Sequence, residues 1–207
     1  LIGTQTPGAT AGEQLTIADS VNAGLTIRSG TTSAGSILFE DDTADRGEIQ
    51  YSHNGDYMRF KTSGSERLRI TSGGGFHFTN GELIERAKVT AGKLSDNTNI
   101  DLENGMVHLF TTQETTTSTP NIRINSSTSL NSVMATGEMI SVTLITTAAA
   151  GAYSAQLTID GSAVTENWTG GSAPSDGGSS GVDIHAYTII KTADATFTVV
   201  ATQTKTS

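Results

Sequence analysis

Seven short stretches in the first eighty residues read apolar-x-apolar, and each is flanked by Gly, Ser, Asn or Asp. They are Leu15-Thr16-Ile17, Leu25-Thr26-Ile27, Ile37-Leu38-Phe39, Ile49-Gln50-Tyr51, Met58-Arg59-Phe60, Leu68-Arg69-Ile70 and Phe76-His77-Phe78. A period of two puts both apolar members of each triplet on one face of a strand. Ser29-Gly30, Asn54-Gly55 and Ser63-Gly64 supply turns between them. Strands this short bury too little apolar surface to be secure alone. Two arrangements answer that deficit. One is a compact single-chain sandwich. The other is a fibre in which three copies turn their apolar faces to a common axis. The irregular spacing disfavours a strict solenoid, and the sparse apolar content favours shared burial. The expected axis residues are Leu15, Ile17, Leu25, Ile27, Ile37, Phe39, Ile49, Tyr51, Met58, Phe60, Leu68 and Ile70. Arg59, Arg67 and Arg69 are expected on the polar side, facing solvent or pairing with a neighbouring chain.

The composition points the same way. Hydrophobic residues are 35% of the 207 and aromatics 5%, while Thr and Ser together fill 56 positions. Threonine suits a pleated, half-wet surface, so an all-β chain is expected. Twelve Lys+Arg against 21 Asp+Glu leave a net charge of −9. No basic stripe exists to meet a polyanion, so no nucleic-acid partner is expected. No apolar run approaches the ~20 residues that span a bilayer, so no membrane insertion is expected. With no cysteine, disulfides, thiol catalysis and thiolate metal sites are excluded. The start, Leu1-Ile2-Gly3-Thr4, lacks an initiator Met and a signal peptide. It reads as a processed end or the start of the visible part of a longer chain.

From Gly81 the texture changes, giving a domain division of 1–80 and 81–207. Glu82 to Val89 fits a short helix or a strand equally well. Longer β patterns follow at Met106–Phe110, Asn121–Asn125, Met139–Ile145 and Tyr153–Ile159, then at Val182–Ile190 and Thr196–Val200. Asp160-Gly161 is a favoured hairpin turn, with the return strand running through Val164 to Trp168. Ser129 to Gly137 suggests one capped helical turn. About eight strands without a long helical pattern predict a β-sandwich head, jelly-roll-like. Residues 169–181, nearly all Gly, Ser, Asp and Pro, predict a long surface loop.

Candidate chemistry is thin. His53, His77, His108 and His185 are too scattered for a zinc site. The acidic run from Glu40 to Asp45 lacks the Gly-punctuated spacing of a calcium loop and reads as a solvated turn. Carboxylates are dispersed, a sugar cleft lined by aromatics is missing, and no nucleophile elbow, phosphate loop or metalloprotease motif occurs. No catalytic residue, metal or cofactor is therefore expected. Asn125-Ser126-Ser127 and Asn167-Trp168-Thr169 match glycosylation sequons, relevant only in a eukaryotic secretory host. Trp168, the only tryptophan, has two readings. It closes the hairpin as a core residue, or it stacks on a saccharide at the root of the Gly-rich loop. The second reading makes Trp168, Thr169 and Asp176 the candidate receptor contacts.

Several phrases resemble known text. Gly35-Ser36-Ile37-Leu38-Phe39, Gly47-Glu48-Ile49-Gln50-Tyr51-Ser52-His53-Asn54, Met58-Arg59-Phe60 and Gly64-Ser65-Glu66-Arg67-Leu68-Arg69-Ile70 resemble a repeat of tail-fibre and appendage proteins of tailed phages. The second domain, through Lys93–Leu102, Gly137–Thr143 and Ala155–Gly161, resembles one recurring in structural proteins of marine cyanophages. The resemblance implies a trimeric virion fibre with a C-terminal β-domain, assembled with other virion proteins and touching a host-surface glycan or protein. It supplies no catalytic residues. A capsid-surface fibre or decoration protein is the nearest alternative; a polysaccharide-degrading tailspike and a bacterial adhesin are more distant ones.

Overall fold

The computed structural model describes residues 2–3, 17–18, 20–42, 44 and 46–206, and the axis candidate Leu15 lies outside them. The chain is all-β and divides into two units, Leu1–Leu83 and Ile84–Ser207.

In the first unit, β1 (Ile2–Gly3) runs parallel to β2 (Ile17–Ala18). A five-stranded antiparallel meander follows: β3 (Ala34–Phe39), β4 (Gly47–Ser52), β5 (Tyr57–Thr62), β6 (Ser65–Ile70) and β7 (Phe76–Phe78). The turn chemistry fixes the register. Ser63 and Gly64 both take positive φ, 50° and 71°, the geometry of a tight two-residue hairpin loop. Leu25-Thr26-Ile27 alternates like its neighbours yet forms no strand. Ile27 lies over Gly35, so close that a Cβ there would come within 2.9 Å of its Cγ2. The segment packs on the sheet's face rather than pairing at its edge, which is why the alternation misleads.

The second unit is built from two sheets. The six-stranded one has the order β15-β17-β16-β12-β10-β8 and the four-stranded one β14-β13-β11-β9. The strands are β8 (Ala87–Thr90), β9 (Asn99–Asp101), β10 (Val107–Gln113), β11 (Asn121–Arg123), β12 (Met139–Thr147), β13 (Thr158–Ile159), β14 (Ser162–Ala163), β15 (Glu166–Trp168), β16 (Val182–Ala193) and β17 (Thr196–Lys205). Strands β8 to β13 alternate between the sheets, and their neighbours within each sheet are parallel. The chain therefore winds as a coil before a hairpin and the long β16–β17 ribbon complete it. A jelly roll is antiparallel throughout. Here β8–β10, β10–β12, β9–β11, β11–β13 and β15–β17 are parallel, so the strand order departs from that expectation. Period-two patterning locates strands but says nothing of pairing direction.

The two sheets share one apolar core. From the smaller sheet, Ile100, Ile122 and Ile159 stack in register as a buried ladder. From the larger come Phe110, Val142, Leu144, Tyr187, Ile189 and Val199. Tyr187 Oη donates to Ser154 Oγ at 2.7 Å, satisfying a hydroxyl that burial would otherwise leave unpaired. Asp160 and Gly161, with φ of 52° and 81°, make the expected hairpin turn, here joining β13 to β14. Ser129 caps the expected helical turn, α1 (Leu130–Val133), by accepting from the Ser132 amide at 3.1 Å. The stretch Tyr153–Leu157 is not a strand; it makes only an isolated bridge, Ser154 against Ser118.

Candidate functional site

The meander has two unlike faces. On one, Ile37, Ile49, Phe60, Leu68 and Phe78 align across the five strands. Beside them runs a second row of Gly35, Tyr51, Met58, Ile70 and Phe76, and Phe39 extends the face toward Gly47. Eight of the axis candidates thus share one surface. Ile17 lies on β2, half-buried, while Leu25 and Ile27 lie outside any strand. No described residue of the first unit belongs to the buried apolar core. Phe39, Phe76 and Phe78 are 55%, 64% and 52% exposed. Ile27 covers one corner, leaving an apolar cleft of about 260 Å³ lined by Ile37, Ile49, Tyr51 and Met58.

The other face is polar and closed upon itself. Glu48 is only 7% exposed. Lys61 Nζ lies 2.7 Å from its Oε2, and Ser36 Oγ donates to its Oε1 at 2.7 Å. Burial alone raises the Glu48 carboxyl; the hydrogen bonds from Lys61 and Ser36, with the charges of Lys61 and Arg59, outweigh it and hold the group below its ordinary value. Glu66 takes a two-pronged bond from Arg69, Nε to Oε1 at 2.9 Å and Nη2 to Oε2 at 2.7 Å, which lowers its pKa against a smaller opposing effect of burial. The Arg69 guanidinium sits 4.1 Å from the Tyr57 ring centre. Arg67 bonds Thr62 Oγ1 and the Asn80 carbonyl. The arginines therefore find partners within their own chain, because cross-strand register brings Glu48 and Glu66 beside Arg59 and Arg69.

Trp168, Thr169 and Asp176 all lie along β17. Trp168 stands opposite Ala201, and its ring meets Tyr187 edge-on at 6.3 Å while packing on the core. The Thr169 amide donates to the Ala201 carbonyl at 2.9 Å. Lys205 Nζ reaches the Asp176 carboxylate at 2.5 Å, and Gln203 Nε2 donates to the Asp176 carbonyl at 3.1 Å. The 169–181 segment is docked rather than loose, since Gly177 and Gly178 are buried and the Gly178 amide donates to the Asp183 carboxylate at 2.9 Å. Replacing Trp168 by Phe is expected to cost about 1 kcal/mol, mostly the lost edge contact with Tyr187. The second unit should stay folded, as a near-ultraviolet circular dichroism melt will show.

Sequence reading missed a polar ladder on the outer side of the smaller sheet. Asn121 Nδ2 donates to Asn99 Oδ1 at 2.9 Å, Arg123 Nε to Asp101 Oδ1 at 2.6 Å, and Asn125 Nδ2 to Glu103 Oε2 at 2.9 Å. The constant offset of 22 residues is its one trace in the sequence. A polar cleft of about 360 Å³ lies beside it, lined by Arg123, Asn125, Thr128 and Asp160 among others. Asp160 is already engaged there by the Leu130 and Asn131 amides at 2.7 and 2.9 Å. Among the described residues no three His, Asp or Glu side chains gather as a metal site. Among the described residues no helix is long and apolar enough to cross a membrane. Comparison with protein-family models, curated proteins and solved structures gives no match for this chain.

Proposed function

We propose that the chain is a structural subunit of a tailed-phage virion, a trimeric fibre whose first unit is the stalk and whose second unit is a head that contacts the host surface. The reading rests above all on the exposed apolar face of the meander, opposite a charged face whose ion pairs form within the chain. A lone five-stranded sheet leaves that apolar surface in water. Around a three-fold axis it is buried.

The dimensions suit three copies. Five strands about 4.8 Å apart make a sheet roughly 20–24 Å wide, and three such sheets closed as a triangular prism stand about 6–7 Å from the axis. That distance is filled by Phe and Met side chains. Each large apolar side chain moved from water into the interior contributes roughly 1.5–3 kcal/mol. A shared core of this kind gives slow dissociation without disulfides, as a particle exposed to the environment needs. The textual likeness to fibre repeats supports the virion assignment, and the head's docked 169–181 segment, with Trp168 and Thr169 at its root and Asp176 within it, is the receptor-facing candidate.

Solution mass tests the stalk directly. The chain is expected at three times 21.5 kDa or a whole multiple of that mass, and Phe60→Glu should shift it toward smaller species by placing three carboxylates at the axis. A folded monomer that persists at high protein concentration would overturn the trimer.

A further inference from the structure

The outer face of the six-stranded sheet in the second unit carries no charged side chain on any of β8, β10, β12, β16 or β17. Val89, Leu109, Ile145 and Ile184 align in one row, and Val107, Thr143 and Ala186 in the next. Farther along come Thr188 and Val200, then Met139 and Ile190. The remaining outward positions are mainly Thr, with Ser141 among them. Lys88, Asp183, Lys191 and Lys205, the charged residues of these strands, all sit at inward register positions. Alternation gives the five strands about twenty outward positions. At the chain's 16% of charged residues, about three of those twenty would ordinarily be charged. None is. Val89 and Met139 are 60% and 61% exposed, and the outward residues Leu109, Thr143, Ile145 and Ile184 between them are half-buried.

We infer that this face is a self-association surface, occupied by the same face of other copies of the chain. Two observations select that occupant. The chain carries −9 net charge, so copies repel one another wherever acids are displayed and meet without repulsion only through a neutral face. A basic partner would find its complement elsewhere, on the acidic surfaces. The extent of the face is also sufficient. Five strands of about 4.8 Å spacing and five outward rows about 6.7 Å apart make roughly 650 Å² per copy. Two copies then bury about 1,300 Å² together, within the size range of stable protein interfaces. The β-branched rows are flat and short, which suits sheet-on-sheet packing.

The surface stands independently of the stalk interface, and the experiment separates them. Full-length chain carrying Phe60→Glu, which removes the meander's contribution, is examined by sedimentation across a dilution series, with and without Thr143→Lys. Thr143 lies at the middle of the face, and a buried unpaired lysine should weaken association roughly a hundredfold. The expected result is that Phe60→Glu still associates and that adding Thr143→Lys makes it monomeric. If Phe60→Glu alone is monomeric, the head surface is refuted while the stalk reading stands. If Phe60→Glu associates and Thr143→Lys changes nothing, the surface is refuted as well. Should Thr143→Lys lose its near-ultraviolet signal, Thr143→Cys replaces it, in a chain that has no other cysteine. Oxidative cross-linking of Thr143→Cys in the Phe60→Glu background, with none for Ser175→Cys, supports the face; no cross-link overturns it.

Discussion

Gly177→Ala is expected to destabilise the second unit by roughly 3 kcal/mol or more, the largest effect of any single methyl in that unit. Gly177 is buried beside the turn at Ala149–Ala152, and its amide donates to the Ala150 carbonyl at 3.1 Å. A Cβ would overlap the carbonyl oxygens of Ala149 and Ala152 and come within 2.9 Å of Asp183 Oδ2. Two of those three atoms are backbone and cannot rotate away. Relief would require lifting the 169–181 segment, which would strip the buried Asp183 carboxylate of the Gly178 amide. Gly151→Ala, in the same turn but facing open space, serves as the control and should be nearly neutral. Urea unfolding followed by Trp168 fluorescence reads both. An unchanged midpoint for Gly177→Ala would show that the segment is not docked.

The second large effect is acid lability of the second unit. His185 is 1% exposed, and its Nδ1 has no hydrogen-bond partner. Burial drives its pKa down to about 4 against the smaller, opposing effect of the Asp183 charge. The unfolded chain binds the proton near pH 6.5, whereas the folded chain resists it until about pH 4. Stability is therefore complete above pH 6.5 and falls as pH drops toward 4, by roughly 3 kcal/mol in all. His108, lowered chiefly by its burial, adds to the loss in the same window. His185→Leu should flatten the decline between pH 6.5 and 4. A variant as acid-sensitive as the parent would assign the effect to other groups.

Local chemistry was readable from the sequence wherever one residue type forces one backbone state. Ser63-Gly64 and Asp160-Gly161 demanded positive φ and obtained it, and Ser129 capped its helical turn. The apolar register of the meander followed from alternation. Three things were out of reach. The coil of β8 to β13 depends on connections whose direction no periodicity encodes. One buried side chain, Glu114, helps shape them by accepting from the Leu94 and Ser95 amides. The docking of 169–181 depends on two glycines chosen for absence of bulk, which in a sequence look like flexibility. The pairing of Arg59 and Arg69 with Glu48 and Glu66 needed the cross-strand register, including the bulge after Phe60 that brings Glu66 opposite Lys61. For the candidate contacts, sequence placed Trp168 at the loop's root, but only the fold shows its edge committed to Tyr187.

The 22-residue offset linking Asn99 to Asn121, Asp101 to Arg123 and Glu103 to Asn125 has an evolutionary side. This one turn of the coil, from β9 to β11, brings Ile122 onto Ile100 within and hydrogen-bonding side chains onto the row without; the next, from β11 to β13, takes 37 residues. β9 presents Asn, Ile and Asp at the free edge of its sheet, the same chemistry that receives β11. A tandem duplication of one such coil would dock on that edge with its interior and exterior matched in advance. Adding one whole coil would extend both sheets by one parallel strand while leaving the pairing of β16 with β17 untouched.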